Sequence, residues 1–367
     1  MAFLLDDDHR QIVQEAERLL ADGFSPDRLR DLLDRTGRHD EVFWTACREM
    51  GWTAITVAEE HGGLGLGPIE LCLTAQVTGR FVAGAPFLST SFGVSEALRL
   101  HGASKVQATH LPGLATGETI GAIHLSAALG GGDLPTLRDG GLYGALGPVT
   151  AGLQAAILVT LAHDTATGAD VLTLVELDDR TRRTAVATFD NSRGYADLTF
   201  ESAPATILAT PDPRAAALDL LARVAVVLAF EQLGVAEACL ERARLFANER
   251  QAFGQPIGKF QAIKHRIAEI YVATELARGA ALRAVLAVRD DADDLVIRAG
   301  AARLCAIEAG ELAAREAIQT HGAIGVTWEH DLHLYYRRSR ALALELGAVG
   351  RWEDVVAERL VSQGVAA

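Results

Sequence analysis

RQAFGQPIGKFQ, Arg250 to Gln261, interrupts a long alanine-rich helical pattern with Gly254, Pro256 and Gly258. Helical spacing resumes directly after it. Glycine and proline are the strongest local breaks in a chain, so the stretch reads as a turn between two long helices. It places Arg250 and Phe253 together at that turn. A cation beside an aromatic face suits a phosphate joined to a planar ring, as in a flavin or a nucleotide. The plainer alternative is a capped helix end with a packed phenylalanine.

On either side of this turn the spacing predicts helices over roughly 213–249, 260–288, 293–320 and 338–363. Asp291, Asp293 and Asp294 suit the start of the third, and Gly322 suits its end. Four long helices joined by short turns imply an antiparallel bundle. From Asp6 to about His110 the pattern is also helical, with Ile12, Leu19 and Leu20 at helical spacing. Between these zones the texture changes. AAILVTLA (155–162), VLTLVEL (171–177) and YADLTF (195–200) are β-favouring runs parted by Gly, Asp and Thr clusters. The expected fold class is therefore α+β, mainly α. It has an N-terminal helical domain over 1–110, a middle β domain over 111–205 and a C-terminal four-helix bundle over 206–367.

Charge and composition exclude several classes of function. The formal net charge of −14 argues against nucleic acid as a partner, because phosphate backbones require a basic footprint. The most apolar run, Leu220 to Phe230, contains Arg223 and ends at Glu231, short of the ~20 residues a bilayer needs. MAFLLDDDHR carries acids where a secretory leader would be basic, so the reading is soluble and cytoplasmic. Cys47, Cys72, Cys239 and Cys305 are far apart, without a CxxC pair, and read as reduced thiols.

Other motifs carry little. HGGLGLGPIEL offers Gly65 and Gly67, but Glu70 stands where a dinucleotide loop needs its third glycine, so a tight turn is the better reading. Glu329-His330-Asp331-Leu332-His333 lacks HExxH spacing, and no metal is expected. His265 and His321 read as structural histidines. No G-x-S-x-G elbow is present.

Several segments together carry a family resemblance. RQAFGQPIGKFQAIKHRIAEI resembles the arginine-x-x-phenylalanine-glycine turn of the acyl-CoA dehydrogenase family. QTHGAIGVTWEHDLHLYYRR (319–338) resembles that family's glutamine-x-x-glycine-x-x-glycine segment. FWTACREMGWTAITVAEEHGGLGLG and LPGLATGETIGAIHL are similar to its N-terminal helical domain and to the opening of its β domain. The resemblance spans nearly the whole chain in order. It implies α,β-desaturation of an acyl-CoA thioester: a carboxylate takes the α proton, FAD accepts the β hydride, and electron-transfer flavoprotein receives the electrons. It implies that Arg250 meets the FAD pyrophosphate and Phe253 packs on the cofactor. Gln319, Gly322 and Gly325 would approach the ADP half, with Gln261 beside them. In the family these groups largely serve the flavin of a neighbouring subunit.

Two departures stand out against that resemblance. The family's threonine-glutamate-proline and glycine-serine-aspartate runs correspond to HLSAALGGGDLPT (124–136), which keeps only the glycines. The family's base, a glutamate immediately before a glycine, corresponds to ALALELGAVG (341–350). There Leu346 precedes Gly347, and Glu345 is one residue early. The alternative base position on the first bundle helix falls near Val224 or Ala225, neither of which accepts a proton. The half-site for a partner's flavin is kept, and the chain's own half-site is altered. This implies a base-lacking subunit of a heteromer, a heterodimer or heterotetramer with a homologous sister, as in sterol side-chain degradation. The alternatives are a self-sufficient homotetramer using Glu345, a scaffold that binds no flavin, and an offshoot acting on a nitroalkane or amine.

Overall fold

A computed structural model describes residues 6–23, 25–84, 87–362 and 364. Met1–Leu5, half of the stretch read as lacking a leader, lie outside the described residues. Six helices open the chain: α1 (Asp7–Gly23), α2 (Pro26–Leu33), α3 (Glu41–Glu49), α4 (Pro68–Arg80), α5 (Phe87–His101) and α6 (Ser104–Thr116). The glycines of HGGLGLG form a turn, as expected. Gly67 caps α4, and the Glu70 side chain returns to the Gly67 N–H at 2.9 Å. α6 runs past the position where the sequence texture changes, with Pro112 inside it.

Seven strands follow: β1 (Gly121–His124), β2 (Thr136–Arg138), β3 (Gly141–Thr150), β4 (Ile157–Asp164), β5 (Ala169–Glu176), β6 (Thr181–Val186) and β7 (Tyr195–Leu208). Their pairing closes on itself through β4, β2, β3, β7, β5 and back to β4, with β1 beside β4 and β6 beside β7. Leu142, Leu158, Val175 and Leu198 fill one face as a small core of their own. β3 and β7 change register between Leu146 and Val149, and this bulge turns Gly147 and Pro148 toward the helices.

α7 (Pro213–Glu249) is the central helix. The Asp212 carboxylate accepts from the Ala215 N–H at 3.0 Å, and Pro213 occupies the first helical position, where its missing N–H costs nothing. From Ala216 to Ala236 nearly every residue is buried, because α4, α8 (Gln261–Arg289) and α9 (Leu295–His321) all pack on it. The α4–α7 crossing is close. A Cβ at Gly79 would stand 2.0 Å from the Glu231 carbonyl oxygen, and one at Gly234 would stand 1.9 Å from that of Gln76. Only glycine at both positions lets these backbones approach.

The expected single helix over 338–363 is instead two, α10 (Leu332–Leu344) and α11 (Val349–Ser362). The chain turns extended at Glu345 and left-handed at Leu346 (φ 61°) and Gly347 (φ 98°). Buried Arg303 on α9 fixes the break: it donates to the Leu342 carbonyl at 3.1 Å and to that of Glu345. Trp352 Nε1 donates to the Leu346 carbonyl at 3.0 Å. A cation on the free carbonyls of a helix end is favourable in both charge and geometry.

Candidate active site

Between α7 and α8 the opening stretch forms a hairpin, with Gln251 opposite Pro256 and Ala252 opposite Gln255. Phe253 (φ 51°) and Gly254 (φ 76°) make its two-residue loop, both left-handed as a tight hairpin of this kind demands. A phenylalanine in that region is strained by about 1 kcal/mol or more. Its ring nevertheless remains 96% exposed, touching Phe260 edge-on at a 6.1 Å centroid distance. This is not the packed phenylalanine of the plainer alternative. Arg250 caps α7, and Gln261 opens α8; both side chains are exposed.

Phe246, one turn before the hairpin, stacks on His321 at 4.1 Å, which brings this end of α7 against the end of α9. There Gly322 caps α9 with φ 66°, and Gln319 and Gly325 line a groove of about 650 Å3. Arg315, Tyr336, Arg337 and Arg340 contribute to the same groove. In the EHDLH run His333 stacks on Trp328, His330 meets His321 edge-on at 4.9 Å, and Asp331 pairs with Arg30 at 2.6 Å.

Glu345 lies elsewhere, in a narrower cavity of about 320 Å3 between the sheet bulge and the ends of α7 and α10. Phe189 lines both cavities. Ile123, Leu125, Leu221, Leu344 and Leu346 make much of the wall, and Glu345 is its sole carboxylate among the described residues. Val224 and Ala225 are buried in α7 and do not line it.

The Glu345 carboxylate is held by a guanidinium. Arg193 Nε donates to its Oε2 at 2.8 Å and Nη2 to its Oε1 at 3.1 Å, a bidentate pair. Tyr195 donates its hydroxyl to Oε2 at 3.3 Å. Arg193 also donates to both oxygens of Glu231, at 2.8 and 3.0 Å. Arg338 joins from α10, donating to Glu231 at 3.2 Å and to Asp190 at 2.9 Å. Arg193 and Arg338 are both 0% exposed, so these charges persist only because each is matched. Burial pulls Arg193 down, but Glu231 and Glu345 outweigh it and hold its pKa well above the usual arginine range. Burial, then Glu345, pushes the Tyr195 hydroxyl up. Burial lowers Arg303 to about 10. Burial also lowers His124, which ends β1 at the edge of the same cavity.

The sequence reading missed Arg193, Tyr195, Arg303 and Arg338. Arg193 meets partners 38 and 152 positions away, and no local spacing signals such a pair. Arg338 carries no signal of its own either, since it sits beside Arg337 and Arg340 in one polar stretch.

Two family models match the chain. Acyl-CoA dehydrogenase, N-terminal domain, matches residues 6–118, and acyl-CoA dehydrogenase, C-terminal domain, matches residues 215–361. The acyl-CoA dehydrogenase IpdE2 of Mycobacterium tuberculosis is 34% identical over 340 residues, covering 92% of each chain. Among solved structures, a variant of the Tcur3481–Tcur3483 steroid ACAD aligns at TM-score 0.88 and 28% identity, covering 98% of this chain and 99% of its own. The ChsE4–ChsE5 complex of M. tuberculosis aligns at TM-score 0.88 with the same coverage and 23% identity, a likeness of fold.

Proposed function

Since this chain belongs to the acyl-CoA dehydrogenase family, we propose that it is the subunit of a heteromeric enzyme that completes a sister subunit's FAD site and supplies no base of its own. The observation that carries this reading is the Arg193–Glu345 pair. A general base must be free to take a proton, and this carboxylate already accepts two charge-assisted bonds and a hydroxyl. Leu346 holds the position before Gly347, in a turn that Arg303 and Trp352 keep left-handed.

FAD is the family's cofactor, and when bound it accepts the hydride that leaves the β carbon of the acyl thioester. The groove at the end of α9 fits such a ligand. Gly322 has nothing within 4 Å of where a Cβ would stand, which keeps its backbone bare for close approach, while a Cβ at Gly325 would stand 2.8 Å from the Ile318 carbonyl oxygen, so glycine there lets the groove wall pack on the end of α9. In this reading Arg250 holds the pyrophosphate, and Phe253 packs on the cofactor from its exposed tip. Gln319, Gly322 and Gly325 receive the ADP half, with Gln261 at the flank. Each reaches outward to the sister's flavin.

The substrate is an acyl-CoA thioester, and the steroid dehydrogenase among the relatives supports a sterol side-chain ester. Electron-transfer flavoprotein takes the electrons. No described helix is long and apolar enough to cross a membrane, which fits a cytoplasmic assembly. The test is flavin per protomer, by absorbance, for the chain purified alone and with candidate sisters. Support is an apo or insoluble chain alone and about one FAD per pair with the sister. One FAD per chain in the solo preparation overturns the proposal, and unchanged FAD content in the Arg250→Ala pair revives the scaffold.

A further inference from the structure

We propose that the outer face of α8 is a docking surface for the α8 helix of a second copy of this chain, packed antiparallel about a two-fold axis beside Leu276. The contact joins like with like. It turns a heterodimer into a heterotetramer with two copies of this chain at its centre, and it does not depend on which subunit holds the flavin or the base.

The helix is apolar on two sides. Ile270, Thr274, Ala277, Ala281 and Val285 form the inner side, buried as α8 packs on α9 and α7. A helix with one packed side is expected to be polar on the other. Instead Tyr271, Val272 and Leu276 are 56, 56 and 66% exposed, and Ala268 and Gly279 extend their face. Gly279 stands inside the helix, where glycine is destabilising, and a Cβ there would meet nothing within 4 Å. Packing within this chain therefore gives no reason for a glycine; the close approach of a second backbone does.

Charge identifies the occupant. Glu269 lies seven residues before Leu276 and Arg283 seven after it, about two helical turns each way, so the three share one face. Both charged side chains are exposed, and neither joins an ion pair with a described residue, whereas Arg278 between them pairs with Glu237 and Glu275. An antiparallel copy centred on Leu276 sets Glu269 of each chain beside Arg283 of the other. Leu276 then meets its own twin, Val272 faces Ala280, and Gly279 faces Ala273. A two-fold contact has to be self-complementary in this way. Gln261, at the hairpin end of α8, is ~22 Å along the helix from Leu276, so a sister seated on Phe253 leaves this face open.

The experiment measures the mass of the full-length chain co-purified with its sister, by light scattering across a concentration series. The wild type should be a heterotetramer. Leu276→Asp should weaken its assembly by about a hundredfold or more, leaving heterodimers with unchanged FAD content and turnover. Glu269→Arg or Arg283→Glu alone should weaken it by about tenfold or more, because like charges then face each other. The two single variants co-expressed under different tags should co-purify and regain the tetramer, and the double variant should regain it by itself. All three positions are exposed in the single chain, and melting curves check that each variant keeps its fold. A wild-type heterodimer, or a tetramer that survives Leu276→Asp, would overturn the contact. Single variants that fail together as they fail alone would overturn the like-with-like pairing and give this face to the sister. One FAD per chain in the solo preparation would overturn the proposed function alone, and the same variants would then be read on that homo-oligomer.

Discussion

Replacing Glu345 with glutamine separates the two roles open to that residue, because they predict opposite outcomes. As a structural partner, Glu345 accepts two short bonds from a guanidinium with no access to water. Removing one member of a buried pair costs about 3–5 kcal/mol when nothing replaces it. Glutamine keeps one acceptor oxygen for Arg193, and Glu231 still balances that cation, so about 2–4 kcal/mol is expected. Unfolding entropy of about 2.1 cal/mol/K per residue gives a chain of this length roughly 0.8 kcal/mol per kelvin, so Tm should fall by about 3–5 °C. The enzyme assembled with its sister should keep its kcat within about twofold, since the variant removes no proton acceptor from the chemistry. If Glu345 were the base, the same substitution would lower kcat by about 10²–10⁴. Differential scanning fluorimetry and steady-state flavin-linked turnover on one preparation give both numbers. A large loss of kcat with an unchanged Tm would refute the assignment.

Phe253→Gly should relieve the left-handed strain and stabilise the isolated chain by up to about 1 kcal/mol, seen in urea unfolding, while the assembled pair loses FAD on gel filtration. Gly234→Ala should destabilise by about 3 kcal/mol or more, because its methyl would enter the Gln76 carbonyl; thermal unfolding reads this directly. Stability should also fall with acidity. Burial lowers the folded pKa of His39, His101, His124, His321, His330 and His333 below 6.5, so the unfolded chain binds more protons. Their contribution is complete above that value and is lost as pH falls through the folded values, which Tm measured from pH 8 to 5 would follow.

The parts of the molecule legible in the sequence were those whose cause is local. Gly254, Pro256 and Gly258 forced the hairpin, and the helical spacing read over 213–249 became α7. The β-favouring runs at 155–162 and 171–177 became β4 (Ile157–Asp164) and β5 (Ala169–Glu176). β3 was missed because Gly141, Gly144, Gly147 and Pro148 disguise it, and β6 because an edge strand reading TRRTAV lacks an apolar rhythm. The α10–α11 break was invisible because Leu346 is a good helix former. What bends it is tertiary: Arg303 and Trp352 seize carbonyls that a continuous helix would have used itself. The same holds for Glu345. Its offset by one residue could be read in the chain, but the guanidinium that holds it comes from a loop beside β7.

The hairpin tip has a consequence for the life of the chain outside the assembly. An aromatic residue displayed on an exposed two-residue loop between rigid helices is a favourable target for chymotrypsin-like proteases and for chaperones that bind apolar side chains. In the proposed heteromer, a sister subunit that covers Phe253 would remove that target. Turnover would then fall on orphan copies alone, and the cell would hold the two subunits near equal numbers without any matched control of their synthesis.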